Sequence, residues 1–222
     1  LKGVEDTWGK PLSTYVRAIF CDSIETAGAN WTHGILEAFK SRMGYDIEPY
    51  LCFVLLPDDQ VKDNVSEAFN DNVRRARYDW CKFLSEYFHE NFTRVFHQFC
   101  RENGMLSRYQ AYGTPWLVDM AEGYMIPDIP ESNNWIRVDP YEEDRFTSEL
   151  SKGYMVWSKY ASAAARLRSN RIVSIEAMTT TDNNFERTLS TIKQADDMNF
   201  IVGMTHSVLH GFNSVPSDIP FP

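Results

Sequence analysis

Short apolar runs alternate along this chain with longer stretches whose apolar positions recur every three to five residues. The run Tyr15-Val16-Arg17-Ala18-Ile19-Phe20-Cys21 predicts a strand. Thr32 to Arg42 predicts a helix, with Thr32 as N-cap and Gly44 as its stop. Tyr50 to Leu56 is apolar without a readable period and fits a strand or a buried loop, before a turn at Pro57-Asp58-Asp59. From Val61 to Arg101 one helical face carries Val65, Phe69, Val73, Ala76, Trp80, Phe83, Tyr87, Phe92, Val95 and Phe99. That span is long for a globular helix, so a break is expected near His89-Glu90-Asn91.

The rhythm then repeats. Strands are expected at Leu106–Tyr112, Met125–Glu131, Arg171–Ala177 and Phe200–Leu209. Helices are expected at Thr147–Ser169 and Asp182–Met198, with a short helix or turn from Trp116 to Gly123 and a polar loop from Asn133 to Arg145. Alternating strands and helices with little hairpin signal predict a parallel sheet with crossover helices. A (β/α) barrel and an open doubly wound sheet both satisfy that order. No G-x-G-x-x-G or G-K-[ST] follows a strand, which disfavours a nucleotide-binding version of the open sheet.

Composition narrows the function classes. A chain of 222 residues with 43% hydrophobic residues can bury a sizeable core. The net charge is −9 with no basic stripe, and Arg74, Arg75 and Arg77 share a helix with acids, so a nucleic-acid partner is not expected. No run of 18 apolar residues predicts a membrane span. Cys21, Cys52, Cys81 and Cys100 match neither zinc spacing nor C-x-x-C and read as buried free thiols. Asn30, Asn64 and Asn91 each open a short glycosylation-acceptor pattern.

In parallel barrels the reactive groups gather at the C-terminal strand ends. The polar residues expected there are Asp22, Ser23 and Glu25, then Gln110 and Tyr112, Asp128 and Glu131, Glu176 and Thr179, and His206 and His210. Acids on different strands suit glycoside hydrolysis, which needs one protonated carboxyl and one ionised carboxylate. Glu176 stands out because it lies inside Ile172-Val173-Ser174-Ile175-Glu176-Ala177-Met178, where an unused charge is costly. Glu25 fits either a catalytic acid or a polar cap before the helix. His206 and His210 lack an H-E-x-x-H frame and fit substrate hydrogen bonding or a histidine at the core edge. The absence of G-x-S-x-G disfavours a serine hydrolase.

At these residues the chain resembles the catalytic barrel of glycoside hydrolase family 106, the calcium-dependent, inverting alpha-L-rhamnosidases. Asp22-Ser23-Ile24-Glu25 followed by Asn30-Trp31-Thr32 looks like that family's Asp-Ser-x-Glu and Asn-Trp-Thr segments. Arg108-Tyr109-Gln110-Ala111-Tyr112-Gly113 is similar to its Arg-x-Gln-Ala-x-Gly strand, and Asp128-Ile129-Pro130-Glu131 to its Asp-Ile-Pro-Glu motif. Glu176-Ala177-Met178-Thr179 and the closing Gly203-Met204-Thr205-His206 and Leu209-His210-Gly211 resemble its last strands. Met43 stands where the family has Arg, and Thr205 where it has Asn.

The resemblance implies an α/β fold of the (β/α)8 type, with residues 1–222 supplying a partial catalytic barrel domain of roughly strands four to eight. The remaining barrel segment or other domains of a longer protein would be its partners. It implies Glu25 as general acid, Glu176 as general base and Glu131 as the rival base. Asp22, Asn30, Trp31, Gln110, Tyr112, His206 and His210 would contact a rhamnose-containing oligosaccharide or polysaccharide. A calcium ion is implied, with Asp22, Gln110, Asp128 and Glu131 as oxygen donors at hand and no ligand set assigned. A secreted or periplasmic location follows from the same resemblance. A retaining glycosidase and a non-catalytic carbohydrate-binding domain are the alternatives.

Overall fold

Glycines and polar breaks stop the helices, and the short β-rich runs between them align as strands. The computed structural model describes residues 2–26, 31–56, 66–114, 119–135, 149–179 and 188–210. Asn30, Asn64, the Pro57-Asp58-Asp59 turn, Trp116, residues 136–148, Asp182 and Gly211 lie outside the described residues. In chain order the elements are α1 (Lys2–Trp8), β1 (Ala18–Cys21), β2 (Ile24–Glu25), α2 (Ile35–Met43), α3 (Leu51–Leu55), α4 (Glu67–Phe88), α5 (Arg94–Glu102) and β3 (Leu106–Gln110). There follow β4 (Gly113–Thr114), α6 (Met120–Tyr124), β5 (Ile129–Trp135), α7 (Glu149–Leu167), β6 (Ser174–Thr179), α8 (Leu189–Ile201) and β7 (His206–Leu209). The chain divides into two units.

The first unit comprises Leu1–Asp22, His97–Ala111 and Met120–Pro222. Its sheet has the order β1-β3-β5-β6-β7, and every pairing is parallel. Helices return the chain between successive strands, as parallel pairing requires. The five strands form an open, curled sheet consistent with part of a (β/α) barrel, with β1 and β7 as edges among the described residues.

Alternation gives this sheet two different faces. One face packs on helices. Ile175 and Ala177 are fully buried, Ser158 of α7 donates to Ser132, and Asn134 donates to Asn199 of α8. Neighbouring positions point the other way. Register places Gln110 beside Glu131, Glu131 beside Ser174, and Asn133 beside Glu176, so these polar residues share the inner face.

Near the end of β6 the register with β5 shifts, and Met178 adopts a left-handed φ of 70°. The extra residue turns Thr179 to the side that Glu176 occupies. A non-glycine residue in that region is strained, and such bulges re-aim side chains.

The second unit comprises Ser23–Phe96 and Tyr112–Asp119. Ile35, Phe39, Ile47, Ala76, Trp80 and Phe83 form its buried core, with Phe39, Trp80 and Phe83 in mutual ring contact. Ser66 caps α4 by accepting from the Phe69 amide, and Gly44 closes α2 in the left-handed conformation. Arg77 donates to the carbonyls of Phe53 and Leu56, satisfying orphan acceptors at the end of α3. The expected break in the long helix is a π-turn over His89–Thr93. That turn carries buried His89, whose Nε2 is 3.0 Å from the Asp119 carbonyl. The Ser85 hydroxyl accepts from the Asp119 amide, so one helix face holds this residue at two points.

Several expectations are corrected. Tyr50 to Leu56 is helical, because the 3-10 turn Glu48–Tyr50 leads directly into α3. β1 begins only at Ala18, and β5 runs from Ile129 to Trp135, into the stretch expected to be a loop. Phe200 and Ile201 end α8 rather than open a strand, and Gly203 at a φ of 98° makes the turn into β7. Thr32 does not cap α2; Gly34 takes that position. Cys52 and Cys81 are exposed, whereas Cys100 is buried. Among the described residues no helix is long and apolar enough to cross a membrane.

Candidate active site

The inner face of the first unit concentrates four groups that sequence reading singled out on separate strands: Gln110, Glu131, Glu176 and His210. Glu131, the third residue of β5, has a side chain with 0% exposure. Such a charge needs partners. Arg108 Nε lies 2.7 Å from its Oε2, close enough for an ion pair although the N–H is not aimed along a hydrogen bond. The Ser174 hydroxyl donates to the same oxygen. Gln110 Nε2 donates to Oε1 over 3.3 Å. Burial pushes the Glu131 carboxyl above its ordinary value. Ser174, Arg108 and Gln110 oppose that shift, while nearby Glu176 adds to it.

Glu176 has a different environment. Its side chain is 12% exposed, and its Oε2 accepts from the same Gln110 nitrogen at 2.6 Å. The other oxygen lies 3.2 Å from His210 Nε2. His210 Nδ1 is 2.7 Å from Thr179 Oγ1. A tautomer with the proton on Nε2 satisfies both contacts: the Thr179 hydroxyl donates to Nδ1, and Nε2–H donates to Glu176. One carboxylate is thus sealed and neutralised, and its neighbour reaches solvent with two oriented donors.

The shared nitrogen also limits the spacing of the two acids. Contacts of 3.3 and 2.6 Å place the bonded oxygens of Glu131 and Glu176 no more than about 6 Å apart, short of the roughly 6.5–9.5 Å used by inverting pairs.

The remaining expected residues fall as follows. Glu25 ends β2 in the second unit and is exposed, with Ser23 Oγ donating to it over 3.2 Å. Asp22 is exposed just past β1. Trp31 is half-exposed with its ring centroid 6.4 Å from that of Trp80, and the Tyr112 carbonyl accepts from the Ile24 amide. His206 is exposed at the start of β7, not past its end, and contacts Thr205 Oγ1. Asp128 precedes β5 instead of following a strand. There it pairs with Arg101 and accepts from the Ser107 amide, beside His97. The arginine and serine that hold Glu131 were not singled out from sequence. Two-residue alternation carries the signal, since Arg108 is two before Gln110 and Ser174 two before Glu176.

Comparisons with known proteins bear on the fold and the family. A solved rhamnosidase from Novosphingobium sp. PP1Y superposes with a TM-score of 0.66 at 24% identity, over 91% of this chain and 18% of that one. A protein of Formosa agariphila named "Putative beta-glucuronidase" is 23% identical over 213 residues, covering 95% of this chain and 16% of its own length. The chain therefore spans under a fifth of these relatives. The glycoside hydrolase family 106 profile, described as alpha-L-rhamnosidase, matches residues 2–222, and the chain belongs to that family.

Proposed function

We propose that the protein containing this chain hydrolyses terminal alpha-L-rhamnosyl bonds with inversion, using Glu176 as general base and Glu25 as general acid. The observation that carries the reading is the contrast between two adjacent carboxylates. Glu131 is sealed against Arg108 and Ser174, so it cannot meet a water and a sugar. Glu176 reaches solvent, with Gln110 and His210 fixing its two oxygens. A base must be oriented and accessible to water, and of the two only Glu176 is both. Glu131 then serves as a buried anchor. Glu25 is exposed at the end of β2 with Ser23 donating to it, and its role as the acid rests on the family resemblance. Asp22, Asn30, Trp31, Tyr112, His206 and His210 are the proposed sugar contacts, with Gln110 acting through Glu176.

The family resemblance implies calcium. Among the described residues no group of three or more His, Cys, Asp or Glu is gathered for a metal. The fit rests instead on neutral oxygen. Asn133 Oδ1 is buried without a hydrogen-bond partner, one strand from Glu176 in register. Calcium accepts amide oxygens, so Asn133 is the residue proposed to help hold it. When bound, it would polarise sugar hydroxyls. Asp128 is set aside as a donor, since it is engaged at the other end of the strands.

A second reading comes from the Formosa agariphila relative, whose name points to a glucuronide. Recognition of a uronate would require an available cation, and Arg108 is committed to Glu131. Hydrolysis of para-nitrophenyl alpha-L-rhamnoside and beta-D-glucuronide, compared side by side with the complete protein, separates the two. Rhamnoside turnover with none on the glucuronide supports the first reading, and the reverse result overturns it.

A further inference from the structure

We infer that Arg108, stacked on Phe20 and paired with buried Glu131, is a positioning residue that fixes the Gln110 amide on Glu176. The inference rests on the reading of Glu176 as the working carboxylate. It assigns a role to two residues, Phe20 and Arg108, outside the reacting pair.

The geometry runs strand by strand. Phe20 on β1 and Arg108 on β3 are register partners, so both side chains rise from one face side by side. The guanidinium carbon sits 4.1 Å from the centroid of the Phe20 ring. An aromatic face attracts and orients a planar cation. The Nε atom of the same group lies 2.7 Å from Glu131 Oε2. Glu131 is thereby held as an acceptor between Arg108, Ser174 and Gln110.

Gln110 is the link to the reacting group. A glutamine side chain can present either its NH2 or its oxygen to a neighbour, and the neighbours decide which. Two carboxylates at 3.3 and 2.6 Å both demand the NH2 end. A displaced Glu131 removes half of that demand. The buried Gln110 amide then loses one of its acceptors, and the donor that orients Glu176 Oε2 is held less firmly. Arg108 thus acts on Glu176 through two intervening side chains without touching substrate.

Arginine is needed here for shape as well as charge. A lysine ammonium keeps the charge, but its compact head cannot both cover Phe20 and reach Glu131 as the extended guanidinium does. Phe20 is partly exposed, so its loss removes the stacking platform with little cost to the core.

The test uses Arg108→Lys, Phe20→Leu and Arg108→Ala in the complete protein, with two readouts. The first is the Gln110 side-chain amide signal in NMR, assigned by its absence in Gln110→Glu. It should be sharp and protected from exchange in the parent, and shifted or exchanging in all three variants. This readout does not depend on any glycosidase activity. The second is rhamnoside turnover: kcat should fall about 10- to 100-fold, as misplaced groups typically cost, with KM within about twofold. Millimolar guanidinium should restore part of kcat in Arg108→Ala and none in Arg108→Lys. An unchanged Gln110 signal in folded Arg108→Lys and Phe20→Leu overturns the positioning role. So does a loss of kcat that only parallels a loss of Tm and shows no guanidinium rescue. If the parent itself does not cleave the rhamnoside, the functional reading fails while the NMR readout still decides the role of Arg108.

Discussion

Gln110 on β3 reaches across the intervening strand β5 to place its Nε2 2.6 Å from Glu176 Oε2 on β6. Next-but-one strands lie roughly 10 Å apart, so two long side chains on the same inward face are needed to close that gap. The same nitrogen serves Glu131 on the strand between. One neutral amide therefore organises two acids, and substitutions should act differently at each.

Glu131→Gln should destabilise the protein by about 3 kcal/mol, because it leaves Arg108 without its buried counter-charge. Glu176→Gln should change stability by less than about 1 kcal/mol, since its side chain reaches solvent and an amide can keep the contact with Gln110. Denaturant unfolding of both variants checks this contrast. Equal losses would mean that the two carboxylates share one structural role.

Calcium should raise Tm in the parent and have a much smaller effect in Asn133→Ala, because ligand binding to the native state stabilises it by mass action. Thermal melts with chelator and with added calcium read this out. A calcium response undiminished in Asn133→Ala would place the ion elsewhere.

The His97 imidazole is pushed below its ordinary range, chiefly by burial and further by Arg168 and Arg101, with Asp128 opposing. The unfolded chain then binds a proton at His97 more readily than the native one. Its contribution to stability is therefore lost as pH falls through the ordinary histidine range, near 6.5, and levels off below the depressed native value. His97→Gln should flatten the fall in Tm between about pH 7 and pH 5. An unchanged slope would mean that other groups set the acid sensitivity.

A methyl at Gly113 would collide with the carbonyl of Ile24, its partner in the β2–β4 pairing. Gly113→Ala should cost about 1–3 kcal/mol through backbone displacement. The adjacent Glu25 makes this a test of whether that pairing matters for the second acid. Turnover should fall more than the loss of folded protein explains. Parent-like turnover per folded molecule would detach Glu25 from the catalytic account.

Much of this architecture is legible in sequence where a pattern is long enough to show its period. The break at His89-Glu90-Asn91 could be expected because the helical stripe outran a normal helix, and the π-turn lies there. Leu51–Leu55 was ambiguous because five apolar residues show no period, and the 3-10 turn before them decided for helix. Phe200 and Ile201 look like a strand start, yet the turn at Gly203 makes them the tail of α8. At the site, Glu131 and Glu176 were visible as acids at strand ends, Glu176 inside an apolar run. Their unequal roles were not, because these depend on which strand lies beside which. Only register brings Arg108 and Ser174 to Glu131, and only the bulge at Met178 turns Thr179 toward His210.

The most direct test of the central claim is the anomeric configuration of the sugar first released from an alpha-L-rhamnoside by the complete protein, followed by time-resolved proton NMR and repeated with Glu176→Gln. A water activated by Glu176 on the face opposite the leaving group should give beta-L-rhamnose first, with turnover in Glu176→Gln lowered by about a thousandfold or more. Release of the alpha anomer first, or turnover in Glu176→Gln within about tenfold of the parent, would contradict the account.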